Sequence, residues 1–339
     1  MSSPALPLAS NRVRQLRHAL LRWYDQHRRD LPWRRDRNPY SVWVSEIMLQ
    51  QTRVAAVIDH YARFMTRFPT VHALAGARES SVLAAWSGLG YYHRARRMHR
   101  AAKLLVREHG GKFPNTAKGL YDLPGIGRYT SAAIASIAFG ETVAVVDGNV
   151  ERVLHRLMGD DSGSSANWSR AEALLDRTRP GDFNQAMMEL GAIVCTPRSP
   201  QCPVCPLHGF CSSRGAGPDR KPVKRKRGRL CYLFSEWGGK VLLMQRSANQ
   251  SLMAGMWELP PLLLRDVTGA TPLLRLRHAI TDTDYRVEVF SIPHLDRSRS
   301  ANARWLTPQQ WTRLPLTGLT RKILRRVSAE SAQRGSVSN

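Results

Sequence analysis

The hydrophobic positions divide the chain into two stretches with different periods. From Leu16 to about Cys211 apolar side chains recur every three or four residues, the spacing that gathers them on one face of an α-helix. Val54, Val57, Ile58, Tyr61 and Phe64 form one such face, and Leu83 and Trp86 belong to another. Val13 to Tyr24 reads as an amphipathic helix ahead of them. Ala132 to Phe139 is an unbroken apolar run, but its alanines favour helix over strand. Asn184 to Val194 predicts a further helix that leads straight into Cys195. No short-period internal repeat is visible. Beyond residue 230 the pattern changes: Leu230–Phe234 and Lys240–Gln245 read as strands around a Gly238-Gly239 turn, Arg286 to Ile292 alternates as a third, and Leu319 to Val327 is helical.

Composition marks the boundary between the two stretches. Ser212 to Gly217 is small and polar, and in Arg220–Arg229 seven of ten residues are Lys or Arg, with Pro222 among them. Such a run reads as a linker, whether a solvated spacer or a tether that touches phosphate. The expected organisation is a helical domain over 10–212, a basic linker over 213–229, a small α+β domain over 230–327, and a disordered tail over 328–339.

Charge narrows the partner. The chain has 51 Lys plus Arg against 26 Asp plus Glu, a formal net charge of +25, and a pI near 11.0. That balance favours a polyanion, and nucleic acid is the commonest one. No window is apolar enough to span a bilayer, which argues against a membrane partner. Met1 to Asn11 lacks an apolar signal core, so a cytoplasmic, nucleoid-associated location is expected. Four of the five cysteines lie between Cys195 and Cys211, a cluster that suits an intracellular metal site rather than a secreted disulfide scaffold.

Three constellations carry candidate chemistry. The first is Cys195-x6-Cys202-x2-Cys205-x5-Cys211, where four thiolates within seventeen residues can converge on one centre. Zinc suits any four-cysteine set, while a single x2 pair with an outlier on each side also suits a loop wrapped around a cubic cluster; spacing alone leaves both open. The second is Leu123-Pro-Gly-Ile-Gly-Arg-Tyr-Thr130, a glycine turn between two helical stretches. Gly125 and Gly127 permit close backbone approach, and exposed N–H groups at the following helix start can receive an anion. The third is a pair of carboxylates. Asp147, after Val145-Val146 and before Gly148, has the position of a helix cap. Glu46 stands among apolar residues in Val42-Trp-Val-Ser-Glu-Ile-Met-Leu-Gln-Gln-Thr52. It either lies exposed at a helix rim or is buried with a raised pKa, as a general acid requires.

Together these motifs resemble the endonuclease III and MutY families of DNA repair glycosylases. The cysteine spacing is similar to their [4Fe–4S] loop, with Cys195, Cys202, Cys205 and Cys211 as ligands. The glycine turn resembles their helix–hairpin–helix motif, and Val145 to Val150 completes that signature. The stretch from Leu31-Pro-Trp-Arg34 to Thr52 matches the MutY pattern. The resemblance covers Leu16 to about Leu316, strongly to Cys211 and loosely after it. It implies a mainly α, two-lobed helix-hairpin-helix glycosylase domain with a DNA groove between the lobes, followed by a small C-terminal α+β Nudix-like domain.

The family likeness also assigns roles. It implies a monomeric, monofunctional adenine DNA glycosylase of base excision repair. The enzyme would bind double-stranded DNA, flip out an adenine mispaired with 8-oxoguanine or guanine, and hydrolyse its N-glycosidic bond. Glu46 would be the general acid and base and Asp147 the stabiliser of the oxocarbenium ion, with Tyr129 and Asn149 organising the site. Gln51 and Tyr91 would wedge into the base stack. Leu31 and Leu49 would line the pocket; Arg29, Trp33, Arg34 and Gln185 would surround the adenine; Gly125 and Gly127 would grip phosphate. Endonuclease III-type relatives carry a Schiff-base Lys where this chain has Tyr129, which predicts little lyase activity. Met253-Ala-Gly-Met-Trp-Glu-Leu-Pro260 resembles the Nudix-like domain of MutY proteins, without the glutamate cluster of nucleotide hydrolysis. Where that domain has a Phe-Ser-His loop for 8-oxoguanine, this chain has Ile280-Thr281-Asp282; Thr281 keeps the hydroxyl, and Asp282 has the wrong sign for phosphate. Two rival readings are a thymine or uracil mismatch glycosylase and a non-catalytic mismatch-binding protein.

Overall fold

The computed structural model describes residues 9–160, 163–214, 225–247, 249–250, 252–291 and 302–335. They fall into two compact units. One contains residues 1–76 and 97–220, the other residues 77–96 and 221–339.

The first unit is helical. Its predicted helices appear with longer ends: Ser10–His27, Val54–Arg67, Arg128–Phe139 and Pro180–Ile193. The first of these packs on the Pro180–Ile193 helix and buries Val13, Leu16, Leu20, Leu21, Trp23 and Tyr24 in a core that the Gly148–Met158 helix shares. The cysteine loop closes over the same core, with Cys195, Cys205, Phe210 and Cys211 packed on it. The Pro39–Leu49 helix starts at Asn38, whose side chain accepts from the Tyr40 N–H, and at Pro39, which is pre-set for a first turn. Every residue from Tyr40 to Met48 is buried. A helix apolar on all sides is an interior helix.

The Pro180–Ile193 helix lies unusually near its neighbour because Gly181 faces backbone. A Cβ at Gly181 would stand 2.5 Å from the Ser136 carbonyl oxygen and 2.9 Å from the Ile137 Cα. The glycine therefore sets the depth to which this helix seats. The Gly125 turn is equally constrained: φ is +82°, and a Cβ would meet the Arg97 Cβ at 2.6 Å.

The second unit joins the 77–96 segment to two small sheets and a helix. Strands β1 (Lys226–Phe234), β2 (Glu236–Trp237), β3 (Lys240–Gln245), β4 (Trp257–Glu258), β5 (Pro261–Leu262), β6 (Leu274–Ile280), β7 (Thr283–Ser291) and β8 (Ala303–Leu306) are followed by a Gly318–Gly335 helix. One sheet has the order β5-β1-β7-β6; the other is built on β3, which pairs with β2, β4 and β8. β1 and β7 run parallel at the centre of the first sheet, where β1 carries the unbroken apolar run Leu230–Phe234. Tyr232, Leu243, Trp257, Leu276, Val287, Leu316 and Ile323 share one core. Cys231 is buried on β1, as a lone strand cysteine should be.

Three expectations change here. Lys226 to Arg229 were assigned to the linker but begin β1, because acids on β7 and its turn neutralise them: Arg225 meets Asp284 at 2.8 Å, Lys226 meets Asp282 at 3.0 Å, and Arg229 pairs with Glu288. Of the remaining linker, residues 215–224 lie outside the described residues. The tail from Ser328 continues the last helix to Gly335, since Ala, Glu and Gln there are good helix formers with no breaker before the glycine; residues 336–339 lie outside the described ones. β6 was missed, although Leu274-Arg-Leu-Arg277 alternates at the period of a strand. Among the described residues no helix is long and apolar enough to cross a membrane.

The seating of the Pro180–Ile193 helix predicts that Gly181→Ala lowers stability by about 1–3 kcal/mol, the usual cost of overpacking. A urea midpoint equal to that of the parent would contradict this close approach.

Candidate active site

The carboxylate of Glu46 is held inside the molecule by a helix that has no polar face to offer. Only 6% of the residue is exposed, and Tyr129, from the helix after the glycine turn, donates its hydroxyl hydrogen to Oε2 at 2.6 Å. The Tyr129 oxygen also lies 3.3 Å from the Met188 sulfur. Burial pushes the Glu46 pKa up to about 7; nearby Asp147 adds to the rise, while Tyr129 and Arg34 oppose it. The rim alternative for Glu46 is therefore excluded.

Asp147 is the N-cap of the Gly148–Met158 helix. Its Oδ1 accepts from the backbone N–H groups of Asn149 (2.9 Å) and Val150 (2.7 Å), and its Oδ2 accepts from the Asn149 side-chain amide at 3.0 Å. Burial raises its pKa above the usual carboxylate value, and these three donors, with Arg152, oppose the rise without cancelling it. The Asn149 amide is oriented in turn by Arg152, which donates to its Oδ1 at 2.9 Å. Cap and candidate catalyst are thus one residue.

Glu46 and Asp147 line one cavity of about 520 Å3, the size of a small-ligand pocket. Arg29, Leu31, Trp33, Arg34, Leu49, Gln51, Tyr129, Asn149 and Gln185 line it too. Trp33 is wedged edge-on against Tyr61, with ring centres 5.3 Å apart. Gln51 has φ of +54°, a strained value for a side-chain-bearing residue. Gly125 and Gly127 form the turn before the Tyr129 helix, and Gly127 is its N-cap. Tyr91 and Thr281 belong to the second unit. Each has positive φ, +46° and +51°, and Thr281 sits in the tight turn between β6 and β7.

Two residues at this site were not foreseen. Glu189 is almost fully buried and accepts from Arg29 Nε and one of its terminal nitrogens, each at 2.7 Å, and from Arg34 at 2.9 Å. Burial would raise its pKa, but the two guanidinium groups win and hold it at about 2. Arg29 and Arg34 are therefore oriented by a fixed anion. The signal was available: Glu189 is one helical turn past Gln185, an isolated acid in an apolar run like Glu46 itself. Arg152, one turn past Gly148, is the other.

The cysteine loop presents Cys195, Cys202, Cys205 and Cys211 around a common small cavity, all unbridged and partly buried. Arg152 donates to the Cys195 carbonyl at 2.8 Å, and Arg156 donates to the Cys195 sulfur at 3.3 Å and the Thr196 carbonyl at 2.8 Å. Burial and the mutual repulsion of the cysteines raise the Cys205 pKa to about 11, a cost that a cationic centre removes. Among the described residues no three His, Cys, Asp or Glu side chains gather closely enough to hold one ion. Four half-buried thiols around one cavity are a donor set that a [4Fe–4S] cluster can use.

The raised pKa of Glu46 has a consequence for stability. In the unfolded chain the carboxyl loses its proton near 4.5, but in the folded protein near 7, so its stabilising proton is lost as pH rises through that window. Glu46→Gln removes this loss. The variant should match the parent near pH 4.5 and exceed it at pH 8 by about 3 kcal/mol, an order-of-magnitude figure. Parallel stability-versus-pH curves would contradict the assignment.

Comparison with known proteins agrees with this geometry. Residues 44–175 match the HhH-GPD superfamily of base excision DNA repair proteins, and residues 195–211 match the iron-sulfur binding domain of endonuclease III, so the chain carries a [4Fe–4S] cluster. The adenine DNA glycosylase of Homo sapiens is 36% identical over 404 residues, covering 92% of this chain and 74% of the human protein. That of Mus musculus is 37% identical over 401 residues, covering 92% and 78%. Among solved structures, a thermostable thymine-DNA glycosylase superposes with a TM-score of 0.56 at 32% identity, over 61% of this chain and 99% of its own. Endonuclease III in a non-covalent DNA complex gives 0.53 at 25% identity, over 61% and 97%. With identities of 36% and 37% over most of both chains, the chain belongs to the adenine DNA glycosylase family.

Proposed function

We propose that this chain removes adenine from mispaired double-stranded DNA, acting as a monomer. The single observation that carries the reading is a buried carboxyl group, held by Tyr129 with its pKa pushed up to about 7, in the same cavity as a hydrogen-bonded aspartate. One acid and one anion are what cleavage of an N-glycosidic bond needs.

The reaction would begin with a flipped adenine in the cavity, its faces against Trp33 and Leu49 and its edge toward Gln185, Arg29 and Arg34. Glu46 gives its proton to adenine N7, so that the base leaves as a neutral molecule. The C1′–N9 bond breaks, its electron pair departs with the base, and positive charge develops on the sugar. Asp147, whose two oxygens accept from three donors, would stabilise that charge as a carboxylate. Glu46, now ionised, takes a proton from the attacking water, whose oxygen bonds to C1′. Tyr129 holds Glu46 in place throughout. Cys195, Cys202, Cys205 and Cys211 would hold the cluster, in a loop that Arg152 and Arg156 join to the Gly148–Met158 helix.

Other residues would secure the DNA. The Gly125–Gly127 turn would grip phosphate through backbone N–H groups, Gln51 and Tyr91 would fill the space left by the flipped base, and Thr281 would meet the opposing base. An 8-oxoguanine at that position is the expected partner. Asp282 need not repel the backbone, because Lys226 already neutralises it. The similarity to a thymine-DNA glycosylase favours a second reading, excision of thymine from a mispair.

Glu46→Gln should reduce single-turnover adenine release by about a thousandfold, the scale of a lost general acid, while duplex binding persists. Substantial residual cleavage removes Glu46 from the role, and release of thymine opposite guanine in preference to adenine selects the second reading. Because a tyrosine cannot form an imine, borohydride should trap almost no covalent protein–DNA adduct; a high yield of adduct would show that another residue attacks the sugar.

A further inference from the structure

Residues 77–96 are remote in sequence from the C-terminal domain yet pack with it as one unit. Two buried hydroxyl groups make the join. Ser87 donates to the Leu316 carbonyl oxygen at 2.6 Å, and Tyr92 donates to the same oxygen at 3.2 Å. Both lone pairs of one carbonyl are thereby used. A third tie comes from Arg96, which donates to the Ala254 carbonyl and pairs with Glu79 at 2.9 Å.

Leu316 is no peripheral anchor. It bridges to Trp257, the Trp257 N–H donates to Pro315 at 2.9 Å, and the Thr317 N–H returns to Trp257 at 2.9 Å. Leu316 is completely buried in the core that contains Leu276 of β6 and Val287 of β7, the strands joined by the Thr281 turn. The segment between the ties is braced as well. Trp86 donates its indole hydrogen to the Gly90 carbonyl at 3.1 Å, and the Arg94 guanidinium stands over the rings of both Trp86 and Tyr91, at 5.4 and 5.5 Å. At its tip Tyr91 is exposed, with a backbone strained at φ of +46°. Strain of that kind persists only where surrounding contacts enforce it.

We propose that Ser87 and Tyr92 are positioning residues that fasten the Tyr91 loop to the core behind the Thr281 turn, so that contact with the opposing base at Thr281 fixes how Tyr91 enters the DNA. The inference rests on the DNA roles proposed above for Tyr91 and Thr281. Selectivity for the opposing base then resides partly in two hydroxyls that touch no DNA. The carrier is a continuous packed path with a strained loop at its end.

The test uses the full cluster-bearing chain and the variants Ser87→Ala, Tyr92→Phe and the pair. Single-turnover adenine release is measured opposite 8-oxoguanine and opposite guanine, together with hydrogen exchange of the 87–92 amides. The parent should favour 8-oxoguanine. The paired variant should lose about five- to tenfold of that preference while keeping its rate opposite guanine, and its 87–92 amides should exchange faster, as expected for removing a modest coupling. Tyr92→Phe, which keeps the ring and its packing, should show part of the same loss. A folded variant that discriminates as the parent does, or whose loop amides stay as protected, overturns the fastening. A parent that treats the two duplexes alike overturns the Thr281 reading instead, and leaves nothing to transmit.

Discussion

An acid can remain protonated near neutral pH only where water cannot solvate its anion, and the helical unit is arranged to keep Glu46 in such a place. Every residue of the Pro39–Leu49 helix from Tyr40 to Met48 is buried, so Glu46 faces only the cavity that it lines. Tyr129 satisfies the carboxyl without supplying a charge. The Pro180–Ile193 helix, seated deeply at Gly181, brings Met188 and Glu189 to the same cavity. Loosening any of the three would let water in and return Glu46 to the ordinary range of a carboxyl group.

The other charges are disposed around that dry point. Glu189 is anionic and spoken for by Arg29 and Arg34, so two cations enter the cavity wall without becoming free counter-ions to Glu46. Asp147 stands between them: burial raises its pKa, and the helix start that converges on it opposes the rise. Three acids in one cavity thus have different surroundings: desolvation for Glu46, paired guanidinium groups for Glu189, and hydrogen-bond donors set against burial for Asp147. The cysteine loop belongs to the same logic. Arg152 spans from the Asn149 side chain to the Cys195 carbonyl, so the cluster loop and the aspartate cap share a brace.

Much of this was legible in the chain. The helical period announced the first unit, and the motifs around Glu46, Asp147 and the cysteines placed the chemistry. What the pattern hid were relations across sequence. Glu189 reads as any buried helix position until Arg29, 160 residues away, is seen beside it. Lys226 to Arg229 read as linker because their neutralising partners, Asp282 and Glu288, are remote in sequence, the latter 59 residues from Arg229. The union of residues 77–96 with the C-terminal domain depends on hydroxyls meeting a carbonyl 229 and 224 residues away, a distance no local period can encode.

The account turns on the protonation of one side chain, and a direct titration reads it. With 13C-labelled glutamate side chains, the carboxyl resonance absent from Glu46→Gln identifies Glu46 in the parent. It should titrate with a midpoint near 7, well above the other glutamates. A midpoint at the ordinary value near 4.5 would mean that the cavity does not protect the acid, and the proposed proton donor would be lost.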